Sequence, residues 1–397
     1  MDPRLAPGGC RHLPPCLPPR ASLRQRDRVV DYELAEMAVL LRTGELSAEQ
    51  LAIAYLARLY EFEDRLRACG ADQGYCLTLH IDAQQALTRA RLADQWLNNP
   101  DDPRGPAPVL CGIVLGIRES LAVPARRNSP WRLADSSLAT RLLDQGAVLL
   151  GPLRDPTHAE GNAAGLSAIS PVARLCAAAL GETADEAFMI PTAAHGASGI
   201  KPSLGLAMGW DVPGSIARSV RDAALVLEAI TGSPASTAPV RWPVSARDQA
   251  RPLTAVRIGV PCPTDTLGAL FTEQILQRLY AQLAELGAQL VELAAHPQSW
   301  DAVLAEQALD FILLLPQGGR LPNLPGWPMV TFPVGLSADA GALNAAFCGP
   351  HLSDAALVQA ALDFQAHYPQ YHDSAPLLRL ASAASAITAP RMAWPTG

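Results

Sequence analysis

Apolar residues recur along the chain at two spacings, one typical of amphipathic helices and one typical of buried strands. In the segment SAEQLAIAYLARLYEF, which begins at Ser47, the side chains of Leu56, Leu59 and Tyr60 fall on one helical face. Ser47 is followed three residues later by Gln50, the pattern of a capping box at the start of a helix. The pattern therefore predicts an amphipathic helix that begins just after Ser47.

Short apolar runs elsewhere predict buried strands. These runs are CGIVLGI (111–117), VRIGVP (256–261), FILLL (311–315) and MVTFPVG (329–335). Helical patterns alternate with them, as in LATRLLD before Gly146, RSVRDAALVLEAIT and DAALVQAALDFQ. This alternation predicts an α/β fold in which a central β-sheet is covered by helices on both faces.

The two ends of the chain differ in composition from its patterned middle. Residues 1–28 are rich in proline and arginine and lack the apolar run of a signal peptide, so they predict a disordered tail. Residues 376–397 are of low complexity and predict a second loose tail. Residues 29–375 predict a single domain, with the Pro- and Ser-rich stretch 231–252 as a surface connector within it.

Charge and cysteine content narrow the function classes. A formal net charge of −7 offers no basic surface for nucleic acid, and no apolar run is long enough to cross a bilayer. The eight cysteines form no CxxC pair and no Cys/His cluster, which predicts reduced core residues, no metal and a cytoplasmic setting. No cofactor is expected. Lys201 is the only lysine in the chain.

Five segments follow one another in a characteristic order over about residues 30–370. They are CGIVLGIRES, DQGAVLLGPLRDPTHAEG, GLSAISPVARLCAAALGETADEAFMIPTAAHGASGIKPSLG, DVPGSIARSVRDAALVLEAITG and NLPGWPMVTFPVGL. Together they resemble the landmarks of the amidase signature family, whose members hydrolyse carboxylic amides. The resemblance implies the amidase-signature fold, with a mixed central sheet between helical layers.

The resemblance also implies where the family's catalytic triad would lie. In that family a serine attacks the amide carbonyl, a second serine relays its proton, and a lysine is the final base. The lysine position is Arg118 here, the relay position is Ala163 and the nucleophile position is Ala187. A guanidinium stays protonated and a methyl group has no proton to transfer. The resemblance therefore implies an intact scaffold without its triad.

The surroundings of the nucleophile position differ from the family pattern as well. A Gly-Gly pair that lets backbone N–H groups approach the developing oxyanion is replaced by Asp185-Glu186. Two carboxylates at that place would oppose the charge that forms in the transition state. The chain is also shorter than the family pattern near 155–165 and near 294–308, where family members build the relay site and much of the substrate cleft.

Four residues in or near the signature region could carry relocated chemistry: Ser167, Ser170, Cys176 and Ser198. Ser167 and Cys176 are the fallback nucleophiles; we expect Ser167 to be a helix N-cap or a packed core residue, and Cys176 to be a small buried apolar residue. His195 has no acidic partner at a recognisable triad spacing and is expected in a turn. Lys201 belongs to GIKPS, whose family counterpart lies outside the triad.

Arg118, Asp185 and Glu186 form a second kind of candidate site. The fold would bring the ends of their segments to one cleft, where they either pair with one another or bind a small polar or zwitterionic ligand. We expect the structural pair, because a buried arginine needs a partner whatever the function.

The sequence thus predicts an amidase-family homologue that has lost amide hydrolysis. It would act as a ligand-binding protein or as a partner subunit of another enzyme, and whether it forms a homo-oligomer is open. The alternative is a C–N hydrolase of small carboxylic amides with relocated catalytic residues.

Overall fold

The computed structural model of the chain describes the following residues: 27–68, 83–118, 121, 138–153, 165–182, 185–206, 213–231, 253–261, 273–293, 299–316, 324, 326–337 and 341–369. Within these ranges a short 3-10 turn, Asp27–Asp31, precedes the first helix. The helices are α1 (Leu34–Thr43), α2 (Ala48–Ala68), α3 (Ala83–Leu97), α4 (Leu138–Asp144), α5 (Gly165–Val172), α6 (Asp185–Ala194), α7 (Val220–Thr231), α8 (Glu273–Glu285), α9 (Trp300–Glu306) and α10 (Asp354–His367).

The described strands form one mixed sheet. They are β1 (Val114–Arg118), β2 (Val148–Leu153), β3 (Ala178–Glu182), β4 (Ser198–Lys201), β5 (Pro213–Ala217), β6 (Arg257–Pro261), β7 (Gln289–Leu293), β8 (Phe311–Leu314), β9 (Met329–Ser337) and β10 (Gly341–Cys348). Their order across the sheet is β2-β1-β3-β5-β4-β9-β10-β8-β6-β7.

Strand direction places several chain segments at one edge of this sheet. Strands β1, β2 and β3 are parallel, and β5 is antiparallel to both β3 and β4. The last residues of β1, β3 and β4, which are Arg118, Glu182 and Lys201, therefore lie at the same edge, named the carboxyl edge below. Strand β9 runs antiparallel to β4, so it begins there at Met329.

Helices cover both faces of the sheet, as the apolar pattern predicts. Successive strand residues alternate between two buried clusters: Phe347 packs in one cluster with residues of α7 and α10, whereas Ala346 and Cys348 pack in the other with Phe188 and Met189 of α6. Because side chains of a strand point alternately to opposite faces, these clusters are the two layers of the core. The predicted α/β class and mixed central sheet are confirmed.

The predicted helix after Ser47 begins as its sequence indicates. The backbone N–H of Ser47 donates to Gln50 Oε1 at 3.1 Å, and the backbone N–H of Gln50 donates to Ser47 Oγ at 3.1 Å. The carboxylate of Asp94 in α3 accepts two more N–H groups of the first turn, from Ala48 at 2.6 Å and Glu49 at 3.0 Å. The capping box is therefore present, and a tertiary contact reinforces it.

An aromatic cluster fastens α10 to the sheet. The ring centroid of Phe332 in β9 lies 4.9 Å from that of Phe347 in β10 and 5.2 Å from that of Phe364 in α10. All three side chains are fully buried. Tilted rings at these distances pack favourably beyond their apolar area alone.

Several predicted features fall at the margins of the described structure. The turn Asp27–Asp31 includes the last two residues of the predicted tail 1–28, and the predicted tail 376–397 lies outside the described residues, as does nearly all of the connector 231–252. Within 294–308, helix α9 begins after a Ser299 cap. No described helix is both long enough and apolar enough for a membrane span.

Candidate functional site

Two of the three positions that the sequence resemblance assigns to a triad lie at the carboxyl edge. Arg118 is the half-buried last residue of β1, and residues 185–187 form the first turn of α6, which starts just after β3 ends. Strands β1 and β3 are neighbours, with Ile117 paired with Leu180. The structure thus brings Arg118 and the nucleophile position Ala187 to adjoining strand ends. Ala163, at the relay position, lies outside the described residues.

Ser167 lies inside α5 rather than at its cap, because the helix begins two residues earlier, at Gly165. The side chain of Ser167 is 2 % exposed, and its Oγ donates to the backbone carbonyl of Leu180 in β3 at 3.3 Å. A hydroxyl committed to a strand carbonyl ties α5 to the sheet. This contact is the structural role that the geometry gives Ser167.

Cys176 lies in the turn between α5 and β3 and is buried, with 2 % exposure. Burial raises the pKa of its thiol to about 12. The thiol is therefore protonated near neutral pH, whereas nucleophilic attack by cysteine needs the thiolate. Cys176 has the environment of a small apolar core residue.

His195 follows the last residue of α6 and lies far from the carboxyl edge. The ten residues of α6 span about 15 Å, so the imidazole is a helix length from the first turn that contains Ala187. Desolvation by burial lowers the pKa of His195 to about 4. The imidazole is thus neutral, but it is too distant to act as a base for a group at position 187.

Lys201 is the last residue of β4 and is 3 % exposed. Its Nζ donates to the backbone carbonyl of Trp327 at 2.7 Å, which ties β4 to the segment that leads into β9. Strand β5 separates β4 from β3, so the two strands are about 9.5 Å apart. Lys201 lies at the same edge as Arg118, where its buried side chain links β4 to the segment before β9.

A further contact lies at the carboxyl edge. Local sequence patterns do not indicate it. Ser203 follows β4, and its backbone N–H and Oγ both donate to the carboxylate of Asp354 at the start of α10, at 2.7 and 2.5 Å. The hydroxyl also accepts the backbone N–H of Leu352 at 2.8 Å. The two partners are 151 residues apart, so only the fold reveals this contact. Burial raises the pKa of Asp354, while the bonds from Ser203 oppose that rise.

The described part of the chain contains no group of three or more His, Cys, Asp or Glu side chains placed to hold a metal ion.

Comparison with curated proteins finds relatives with one recurring name. A glutamyl-tRNA(Gln) amidotransferase subunit of Neisseria meningitidis is 28% identical over 320 residues, which cover 67% of this chain and 61% of that protein. The protein of the same name from Salinispora tropica is 29% identical over 315 residues, with the same coverage. The chain thus spans about three fifths of the length of these relatives. No protein-family model matches it.

Solved structures share the fold over most of both chains. An amidase family protein from Bacillus anthracis superposes with a TM-score of 0.69 at 16% identity and covers 88% of this chain and 94% of its own. A peptide amidase from Stenotrophomonas maltophilia superposes with a TM-score of 0.67 at 20% identity and covers 86% and 98%. At these identities the superpositions establish the fold.

Proposed function

We propose that this chain belongs to the amidase signature family, keeps the family's fold and does not hydrolyse amides. The proposal rests on the residues Arg118, Ala163 and Ala187, which occupy the three positions that we assign to the family triad. Two of these positions occupy the strand and helix ends at the carboxyl edge where such a triad would have to assemble.

Each replacement removes a step that acyl transfer needs. A nucleophile must lose a proton and form a covalent bond, and a base must be neutral for part of the time. The methyl group of Ala187 provides no nucleophile, and the guanidinium of Arg118 provides no base. Asp185-Glu186 adds negative charge beside the place where an oxyanion would form.

The competing function, a C–N hydrolase with relocated residues, has weaker support. It requires Ser167 or Cys176 as the nucleophile. The hydroxyl of Ser167 is buried and bonded to a strand carbonyl, and the buried Cys176 has a pKa of about 12.

We propose that the retained scaffold works as a binding or assembly unit, a partner subunit of another enzyme. The relatives named as amidotransferase subunits are, by that name, components of a larger enzyme. The observation on this chain that favours the proposal is the presence of charged residues at the carboxyl edge, with Arg118 on one strand end and Asp185 and Glu186 beside the next. Purification of the tagged chain from its native cells tests this role, which predicts a stoichiometric enzyme partner.

The purified chain is expected to show no turnover above background with a panel of primary and aryl amides, and no labelling by a serine-directed fluorophosphonate. An active amidase measured in parallel shows how large the difference in turnover should be, because removal of a nucleophile typically lowers kcat by about six orders of magnitude. The readouts are released ammonia or arylamine and intact mass. Turnover that disappears in Ser167→Ala or in Cys176→Ala would instead establish the relocated hydrolase.

We further propose that Arg118 pairs with Asp185 or Glu186 and closes the former cleft. A double-mutant cycle between Arg118→Gln and the pair Asp185→Asn, Glu186→Gln is then expected to give a coupling free energy of about 0.5–3 kcal/mol. Chemical denaturation of the four proteins measures it. Additive effects would show that the charges are not paired and are available to a polar or zwitterionic ligand.

A further inference from the structure

A buried carboxylate on α7 holds the amino end of α1. Asp222 lies in the first turns of α7 and is fully buried. Its carboxylate accepts the backbone N–H of Leu34 at 3.0 Å and that of Ala35 at 3.3 Å. These N–H groups belong to the start of α1, where a helix supplies no acceptor of its own. A side chain nearly two hundred positions further along the chain thus caps α1.

A second carboxyl group lies at the same place. Glu33 is the N-cap of α1 and forms a capping box, in which its side chain accepts from the backbone of Glu36 and the Glu36 carboxylate accepts the backbone N–H of Glu33 at 2.9 Å. The remaining oxygen of Glu33, Oε1, is buried and has no hydrogen-bond donor. A charged oxygen without a donor is costly in such a place, whereas a protonated carboxyl needs fewer donors and can donate one bond itself.

The charged groups around this pair do not supply the missing donor. Arg218 precedes α7 and donates to the backbone carbonyls of Asp31, at 2.9 Å, and of Tyr32. Arg221 on α7 and Glu36 on α1 also act on Glu33 electrostatically. The carboxylate of Asp31 is engaged elsewhere, 2.6 Å from Nε of Arg174.

Burial and mutual repulsion both favour a proton on the pair. Burial, followed by the charge of Asp222, raises the pKa of Glu33 from its ordinary 4.5 to about 7, although Arg218 opposes this rise. Burial also raises the pKa of Asp222, against the bonds from α1 and the charge of Arg218. From α2, the buried hydroxyl of Tyr55 lies close enough to interact with the Asp222 charge.

We propose that Glu33 holds a proton beside the Asp222 carboxylate and that the two groups form a proton-dependent latch, which docks the amino end of α1 on α7 while the proton is bound. When both groups are ionised, like charges face each other in a buried place and the first turn of α1 opens more often. Because the pKa of Glu33 is higher in the docked state than its ordinary value, the stabilisation is present at low pH and is lost as the pH rises through about 7.

Amide hydrogen exchange of residues 34–38 tests the latch. With a pKa of about 7 docked and about 4.5 open, the opening equilibrium constant should rise about tenfold between pH values of about 6 and about 8.5. The rates are corrected for the base catalysis of exchange, and peptide-resolved mass spectrometry reads them out in the full chain.

Two variants separate the latch from general effects of pH. Glu33→Gln keeps a polar side chain at the cap without a titrating charge, so its opening constant should change less than twofold over the same range. Glu45→Gln removes an exposed carboxylate beyond the other end of α1 and should keep the tenfold change. Glu33→Ser supplies a second neutral cap if the glutamine variant does not fold. A parent chain without the pH effect, or a folded Glu33 variant that retains it, overturns the proposal.

Discussion

Replacement of Phe332 by alanine is expected to lower the free energy of unfolding by about 3–5 kcal/mol, because it removes the centre of the aromatic cluster. The Phe332 ring contacts Phe347 on the neighbouring strand and Phe364 on α10, and all three side chains are fully buried. Alanine leaves a cavity between the sheet and the helix that neither can close without moving the other. Urea unfolding followed by circular dichroism measures the loss.

Two further variants calibrate that result. Phe332→Leu restores most of the apolar volume and is expected to cost about 1–2 kcal/mol, the remainder reflecting ring contacts and shape. Val39→Ala changes a side chain of α1 that is 58 % exposed, and its effect should stay within about 0.5 kcal/mol. If Phe332→Ala costs no more than Val39→Ala, the aromatic cluster does not hold α10 on the sheet.

Gly196→Ala is expected to cost about 2–5 kcal/mol through two separate effects. Gly196 has a φ of 67°, a conformation that strains alanine, and a Cβ at this position would lie 2.5 Å from the Cβ of Ala342 in β10. Ala342 is itself buried in the sheet, so the backbone of one segment has to shift. Thermal and chemical unfolding of the purified variant measure the cost.

Gly44→Ala is the matched control for this substitution. Gly44 ends α1 with a φ of 75°, but a Cβ added there meets nothing within 4 Å. It should therefore cost only the backbone strain, about 1–2 kcal/mol. Equal losses for the two glycines would show that the contact with Ala342 relaxes freely. Gly196 follows the end of α6, so a shift there would be transmitted along the helix that begins with Asp185-Glu186-Ala187.

The features that the sequence predicts correctly are those whose causes are local. The start of α2 follows from Ser47 and Gln50, which form hydrogen bonds with each other across one turn. Strand β8 has the unbroken apolar sequence FILL, because helices cover both faces of the sheet and neither face needs polar side chains. The assignment of Arg118 and Ala187 to triad positions stays a prediction.

Contacts between distant segments are what the sequence does not indicate. Asp222 resembles an ordinary acidic residue in the first turn of a helix, and nothing near it reveals that it caps α1. The start of α5 is a smaller example: Ser167 after a glycine suggests a cap, but the helix includes that glycine. In both cases tertiary packing decides where a polar side chain finds its partner.

The position of β9 in the sheet has a consequence for biosynthesis. Gly199 in β4 pairs with Thr331 in β9, a residue that is synthesised more than a hundred positions later. Strand β4 therefore lacks one of its two neighbours until β9 has been synthesised. Until then β4 presents an open row of amide and carbonyl groups, the kind of edge that recruits strands from other molecules. Strand β9 must therefore leave the ribosome before β4 can complete its pairing in the sheet. Because the edge of β4 is exposed during this time, we expect chaperones to shield the nascent chain.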